Sequence, residues 1–501
     1  MAKFAITLSA AVLAPAQAAV VPLLDAVIIQ QSTAYDQTEL FETYKAYLGE
    51  PATESTAAAI AEALQQKYRL AGYSRPGYFI TDRGTSSGIV RIKLRQASVS
   101  RVEMNGSAGP YRKELENLAS SLPSPLSMRP EEIRSLLRQA RRLPGLKIEV
   151  AAKPDEERSG AFIIALESDW KPVEGSIKLS NRGTEAIGRN LVFGRLVANG
   201  LFGGENASGL FFTSAENSDN YIGGGLFTNS ALGDRGTSAQ LQATVTSLQF
   251  ETQGIEVQQR RERWSAKVRH VMQRESASEA GFWGGLTLED LDVSYNEAVA
   301  REERLRSVQL GLFRSMRGNS SQSLVSAELE QGINGLGGRF DNFARSGDRT
   351  EHVFTILSLN YVRVWRLSEL WTWRWDAVGH MSPDVLPSIK RFKVGGGRIG
   401  RGFEAAAVRG DNGIGNKLEL KRRLGRDSGW MARTDLYGFY DVGTAWRNDG
   451  GDRQSASSAG LGFSKKGDWL SGYLEIAKPV THADAEGRRD ASIFAELTAR
   501  F

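Results

Sequence analysis

Two periodicities divide this chain of 501 residues. In the first third, apolar residues recur at helical spacing between short alternating runs. Beyond Trp170 and Pro172 helical periodicity fades, and glycine, serine and asparagine punctuate segments that alternate with period two. Asp36 to Leu48 is a predicted helix. A second runs from about Thr56 to Ala71, with Ile60, Leu64 and Tyr68 on one face and Gly72 as its stop. After Gly88, Val90, Ile92 and Leu94 alternate with Arg91, Lys93 and Arg95, the pattern of a strand buried on one side.

The order strand, helix, helix, strand, strand then repeats. Ser100 to Met104 is a predicted strand that ends on the turn pair Asn105-Gly106, and Tyr111 to Leu122 is helical. The next helix carries Ile133, Leu136, Leu137 and Ala140 on one face. Glu131 and Glu132 open it and Arg138, Arg141 and Arg142 close it, as the helix dipole favours. The runs containing Ile148 and Ile164 complete the unit. Two small α+β repeats are therefore expected, over residues 24–97 and 98–170.

The remainder, 171–501, reads as strands throughout. Trp371, Trp373 and Trp375 share a face opposite Thr372, Arg374 and Asp376. Val308, Leu310 and Leu312 oppose Ser307, Gln309 and Gly311, while Val325, Ala327 and Leu329 oppose Ser326, Glu328 and Glu330. Ile493, Ala495, Leu497, Ala499 and Phe501 oppose Glu496, Thr498 and Arg500. A soluble sheet has no use for charges on one face and tryptophans on the other, whereas a membrane barrel has lipid outside and water inside. At about 20 residues per strand with its turn, about 330 residues allow about 16 antiparallel strands, an even number as bacterial barrels have. A secreted β-sandwich is the alternative, and it needs fewer strands.

Composition narrows the reading. No window of 18 apolar residues follows the N-terminus, which excludes a transmembrane helix. The N-terminus itself, with Lys3, an apolar Phe4 to Leu13 and Ala16-Gln17-Ala18, reads as a signal peptide over 1–18. The 63 basic and 58 acidic residues are dispersed, so nucleic acid is not an expected partner. Cysteine is absent, which removes a thiol nucleophile and a disulfide framework. His270, His352, His380 and His482 lie far apart, so neither a metal nor another cofactor is expected, and no catalytic constellation marks an enzyme. Gly395-x-Gly397-x-x-Gly400 fits the dinucleotide pattern, but no strand–turn–helix unit surrounds it.

Three sets of residues carry a family resemblance. Tyr68-Arg69-x-x-Gly72-Tyr73 resembles the signature of the first POTRA module of two-partner secretion transporters. Gly400-Arg401-Gly402-Phe403, with Gly410-Asp411-Asn412-Gly413 downstream, resembles the lumen loop of the Omp85 superfamily, with glycine in place of valine before Arg401. Phe439-Tyr440-Asp441-Val442-Gly443 resembles its barrel-wall motif. A terminal Phe501 is similar to the assembly signal of outer-membrane barrels. Alternation puts Phe439, Asp441 and Gly443 on the lumen face, with Glu419 on the lumen face of its own strand. Arg401 is then the expected partner of Asp441, and Gly443 the residue that lets a backbone or guanidinium approach closely.

The chain thus resembles the outer-membrane transporters of two-partner secretion (the TpsB family, ShlB/FhaC/HecB-like). The resemblance implies a pore that takes an unfolded, TpsA-like exoprotein from the periplasm to the cell surface. It implies a monomer in the bacterial outer membrane, with its repeats in the periplasm. Lipid and lipopolysaccharide would surround it, and the barrel assembly machinery and periplasmic chaperones would serve its biogenesis. An Omp85-type insertase for outer-membrane proteins is the alternative; two repeats, rather than three or five, argue against it. The short stretch between Ala18 and the first repeat leaves no room for a plug helix.

Overall fold

The computed structural model describes residues 21–501 apart from 33, 97, 121–129, 159–160, 202, 234–235, 275–276, 345–349, 426–428, 430 and 482–489. The expected signal peptide and His482 lie outside the described residues. The chain divides into two compact units, one reaching Asp169 and one beginning at Trp170, with Leu143–Gly145 belonging to the second.

The first unit holds two sheets of the same topology. In the first, β1 (Ala26–Gln30), α1 (Gln37–Tyr44), α2 (Glu54–Leu70), β2 (Gly77–Arg83) and β3 (Ile89–Arg95) form the order β1-β3-β2, with β1 and β3 parallel. The α1 helix starts at a reciprocal cap: Asp36 accepts from the Glu39 N–H at 2.8 Å and Glu39 accepts from the Asp36 N–H at 3.0 Å. It ends at Tyr44 and passes into a 3-10 turn over Lys45–Tyr47, short of the Leu48 expected as the end of the helix. Ile60, Leu64 and Tyr68 of α2 are buried against Val90, Ile92 and Leu94 of β3 in one core. The second sheet repeats the plan with β4 (Ser98–Ser107), α3 (Arg112–Ser120), α4 (Pro130–Ala140), β5 (Leu146–Pro154) and β6 (Ala161–Trp170) in the order β4-β6-β5.

Asn105-Gly106 is not a turn. Both residues continue β4, paired with Glu167 and Ser168 of β6. Gly106 sits at φ +79°, and a Cβ there would stand 2.1 Å from the Ser168 carbonyl oxygen. The glycine serves the close approach of two backbones inside a ladder.

The second unit is a closed antiparallel barrel. Its sixteen staves run in chain order from Val173–Ser180 to Ser492–Arg500, and these two pair to close the ring. The four-residue strand Arg339–Asn342 continues the stave Ser321–Gly332 along Ala298–Arg317 after an interruption. The expected alternations hold: Val308, Leu310 and Leu312 are exposed on the outer face, whereas Ser307 and Gln309 are buried inside. Trp373 and Trp375 register with Leu420 and Leu418 on the outer face, while Arg374 pairs with Asp376 inside at 2.8 Å. Phe501 closes the seam, exchanging backbone hydrogen bonds with Gly175 at 3.0 and 3.1 Å.

Candidate functional site

Between the staves Trp371–Met381 and Asn412–Arg423 the chain turns back into the lumen as a loop over 382–411. A small hairpin, Phe392–Val394 against Val408–Gly410, forms its stem. Its apolar side packs Val394, Ile399, Phe403 and Val408 against Ala445 and Ala456 of the wall. The tip demands glycine. Gly400 has φ +83°, and a Cβ on Gly402 would lie 2.9 Å from atoms of Ser458, Lys478 and Pro479, so the loop presses flush against the wall.

That contact delivers Arg401 into a cluster of carboxylates. Its Nε donates to Asp441 Oδ2 at 2.9 Å and its Nη2 to Asp441 Oδ1 at 2.9 Å. Its backbone N–H reaches Oδ2 at 3.1 Å. Nη1 donates to Glu419 at 2.9 Å and to Glu475 at 3.1 Å. The guanidinium also lies 3.5 Å from the ring centroid of Phe439. Arg401 and the three carboxylates are buried, Asp441 wholly so. A guanidinium is suited to this post, because its fork meets one carboxylate through two bonds and leaves a further nitrogen for others.

Asp441 and Glu419 stand where alternation placed them, with Arg401 between. Gly443 makes room for the loop rather than for the guanidinium: a Cβ there would meet Val394 of the apolar stem at 2.7 Å. Asp411 belongs to a separate node at the loop root. It accepts from the N–H groups of Leu386 at 3.0 Å and Asn448 at 2.8 Å, and Arg391 lies 3.3 Å away. Gly410 and Gly413 give way to Trp446 backbone and the Phe392 ring. In the first repeat, Tyr68 is core, bonded through its hydroxyl to Ser32 at 3.0 Å and to Gln96, and burial pushes its pKa up. Tyr73 stacks edgewise on it, Gly72 stops α2 at φ +80°, and Arg69 bonds Gln66 in solvent.

The sequence reading missed three members of the hub. Glu475 binds Arg401, Arg182 and the Tyr437 hydroxyl, the last at 3.0 Å, and Arg182 comes from the connection after the first stave. It also missed a second anchor. Lys390 of the loop bridges Glu330 at 2.7 Å and Glu289 at 3.1 Å across the lumen wall. The acids alternate with Leu474 and Ile476, or with Leu329, so their lumen orientation was legible; their loop partners were not.

Comparisons with known proteins bear on this geometry. The sequence profile of the family described as haemolysin secretion/activation protein ShlB/FhaC/HecB matches residues 163–465. The outer membrane transporter CdiB of Escherichia coli is 22% identical over 463 residues, covering 85% of this chain and 73% of that protein. The protein of the same name from Escherichia coli O6:K15:H31 (strain 536 / UPEC) is 21% identical with the same coverage. Among solved structures, CdiB from Escherichia coli has a TM-score of 0.68 at 16% identity, covering 98% of this chain and 93% of that one. CdiB from Acinetobacter baumannii has 0.59 at 12%, covering 96% and 90%. BamA from Haemophilus ducreyi lacking POTRA domains 1–3 has 0.55 at 12%, covering 95% and 99%. At these identities the structural likeness establishes a shared fold.

Proposed function

The chain belongs to the haemolysin secretion/activation family ShlB/FhaC/HecB and is an outer-membrane transporter of two-partner secretion, and on that premise we propose that the Arg401 hub is the latch of its pore. The observation that carries this is the burial of a lumen-spanning loop by one guanidinium among three wall carboxylates. Such a contact is strong when complete and costly when half broken, so the loop has two discrete states, seated and released.

Family membership implies a secreted TpsA-like exoprotein as the cargo. The two N-terminal repeats, placed in the periplasm, would receive it unfolded by adding a strand to a sheet edge, where backbone hydrogen bonds give affinity without strict sequence demand. The cargo would then replace the loop in the lumen and emerge at the surface, where folding draws it outward. No step requires catalysis. Lipid and lipopolysaccharide would cover the apolar band, and periplasmic chaperones and the barrel assembly machinery would bring the chain to the membrane.

The test is deletion of the gene followed by a census of secreted and outer-membrane proteins. Loss of a single large secreted protein, with outer-membrane proteins unchanged, is the expected result. A general loss of outer-membrane barrels would overturn transport in favour of membrane-protein insertion.

A further inference from the structure

The inner wall is not chemically uniform. The stave Ile255–Arg274 turns Arg261, Arg263, Lys267 and Arg269 inward, and Trp371–Met381 and Asn412–Arg423 carry acids and bases on the same face. Four consecutive staves differ: Leu191–Asn199, Asn206–Ala215, Tyr221–Ala231 and Thr237–Thr252. Their outer face is fixed by Leu196, Leu210 and Leu226, which pair across the strands and are exposed to the bilayer side. The alternate residues face the lumen, and among them Arg195 is the sole charge. The others are aromatic residues, a few aliphatic ones such as Val197 and Leu248, small residues, hydroxyls, and amides such as Gln240 and Gln242.

The rings on this wall lie flat. A Cβ on Gly209 would meet Phe227 at 2.8 Å, and one on Gly225 would meet Phe211 at 2.8 Å, so each ring covers a glycine on a neighbouring strand. Phe193 stacks on Phe211 at 6.1 Å, and the Arg195 guanidinium lies 4.8 Å over Phe227. The stave Thr237–Thr252 stands eight places round the ring of sixteen from Thr434–Trp446, which carries Asp441. Among the described residues, none of the hydrogen bonds or ion pairs of the loop 382–411 reaches these four staves.

We propose that the inner face of these four staves, whose far edge at Thr237–Thr252 stands across the lumen from Asp441, is the wall along which an unfolded polypeptide passes. The inference rests on the transport reading and names the side of the pore that the cargo touches. Passage demands contacts that are many and weak, since a deep well holds what it should release. An unfolded chain carries both signs of charge, so a charged wall would trap one sign and repel the other. Rings accept apolar and cationic side chains alike, and amides exchange single hydrogen bonds with a passing backbone.

The chain has no cysteine, so single cysteine variants report without background. The full-length Arg401→Ala variant is placed in a planar bilayer and presented with an unstructured Ser/Asn/Gly peptide bearing one cysteine. Thr213→Cys and Gln242→Cys, added singly, are expected to form disulfides with it under mild oxidation. Thr372→Cys and Ser464→Cys, on the other side of the lumen, are expected to form few. As a second arm, Phe227→Asp is expected to lengthen the blockade by a lysine-bearing version of the peptide about tenfold, and Ser464→Asp to leave it unchanged. Disulfides spread evenly over the four positions, or concentrated at Thr372 and Ser464, would overturn the inference and leave transport standing. Absence of any blockade in every variant would overturn both.

Discussion

Arg401 binds three carboxylates whereas Asp441 binds one guanidinium, so the two are unequal partners. Removing Arg401 strands Asp441, Glu419 and Glu475 together, with Lys421 still paired to Glu419 and Arg182 to Glu475. Removing Asp441 leaves the guanidinium with two carboxylates. Stranding a buried charge costs about 3–5 kcal/mol, a cost that here falls on loop seating because the strand ladder holds the barrel independently. Arg401→Ala should therefore insert and remain folded, yet lose most export and open more often as a channel. Asp441→Ala should fall between it and the wild type, and the double variant should match Arg401→Ala. The measurement is exported cargo per folded barrel for both singles and the double; defects that multiply would show that the residues act separately. Glu475 and Arg182 escaped notice because no motif surrounds them and only the closed ring brings the last staves beside the first.

The repeats were legible as elements, since capping residues, helical faces and alternation all agree there. The errors came where one residue type serves two purposes. Asn105-Gly106 has the composition of a turn, but a glycine inside a ladder permits the same left-handed φ, and only the partner strand reveals which applies. Gly106→Ala should thus strain β4, since the left-handed conformation costs a non-glycine residue about 1–2 kcal/mol and the Ser168 carbonyl leaves no space for the methyl. Amide exchange in β4 and β6 of the full chain should accelerate, with the first sheet unaffected; unchanged protection would mean that the strands part locally at no cost. The tyrosine signature has a similar lesson. Its first ring is core and its hydroxyl is satisfied by Ser32 and Gln96, so Tyr68→Phe should cost about 1 kcal/mol and speed exchange in α2 about fivefold. Arg69→Ala, at an exposed side chain bonded only within its helix, should leave exchange in α2 as it was.

At the scale of the whole molecule, an even number of antiparallel staves puts the start of the first and the end of the last on one rim. The rim reached by Val173 and Phe501 carries seven connections, all of three to six residues except 424–433. The other rim carries 181–190, the loop 382–411 and 480–491. Two tight hairpins at 253–254 and 296–297 also lie there, but they join staves of 16 to 20 residues that stand taller than the rest. Outer-membrane barrels turn short connections to the periplasm and long ones to the exterior, so the Val173 rim is periplasmic. The repeats precede Val173 directly in the chain, and under the proposed mechanism they face the periplasm. Two outcomes follow for cells expressing the full chain. The folded barrel should run faster on gels before heating than after, since the closed ladder resists detergent alone. Protease added to intact cells should cut only within the long connections and leave the repeats whole, while opening the periplasm should release them as fragments ending before Val173. Cleavage within 24–170 in intact cells would invert the barrel, and with it the direction of transport.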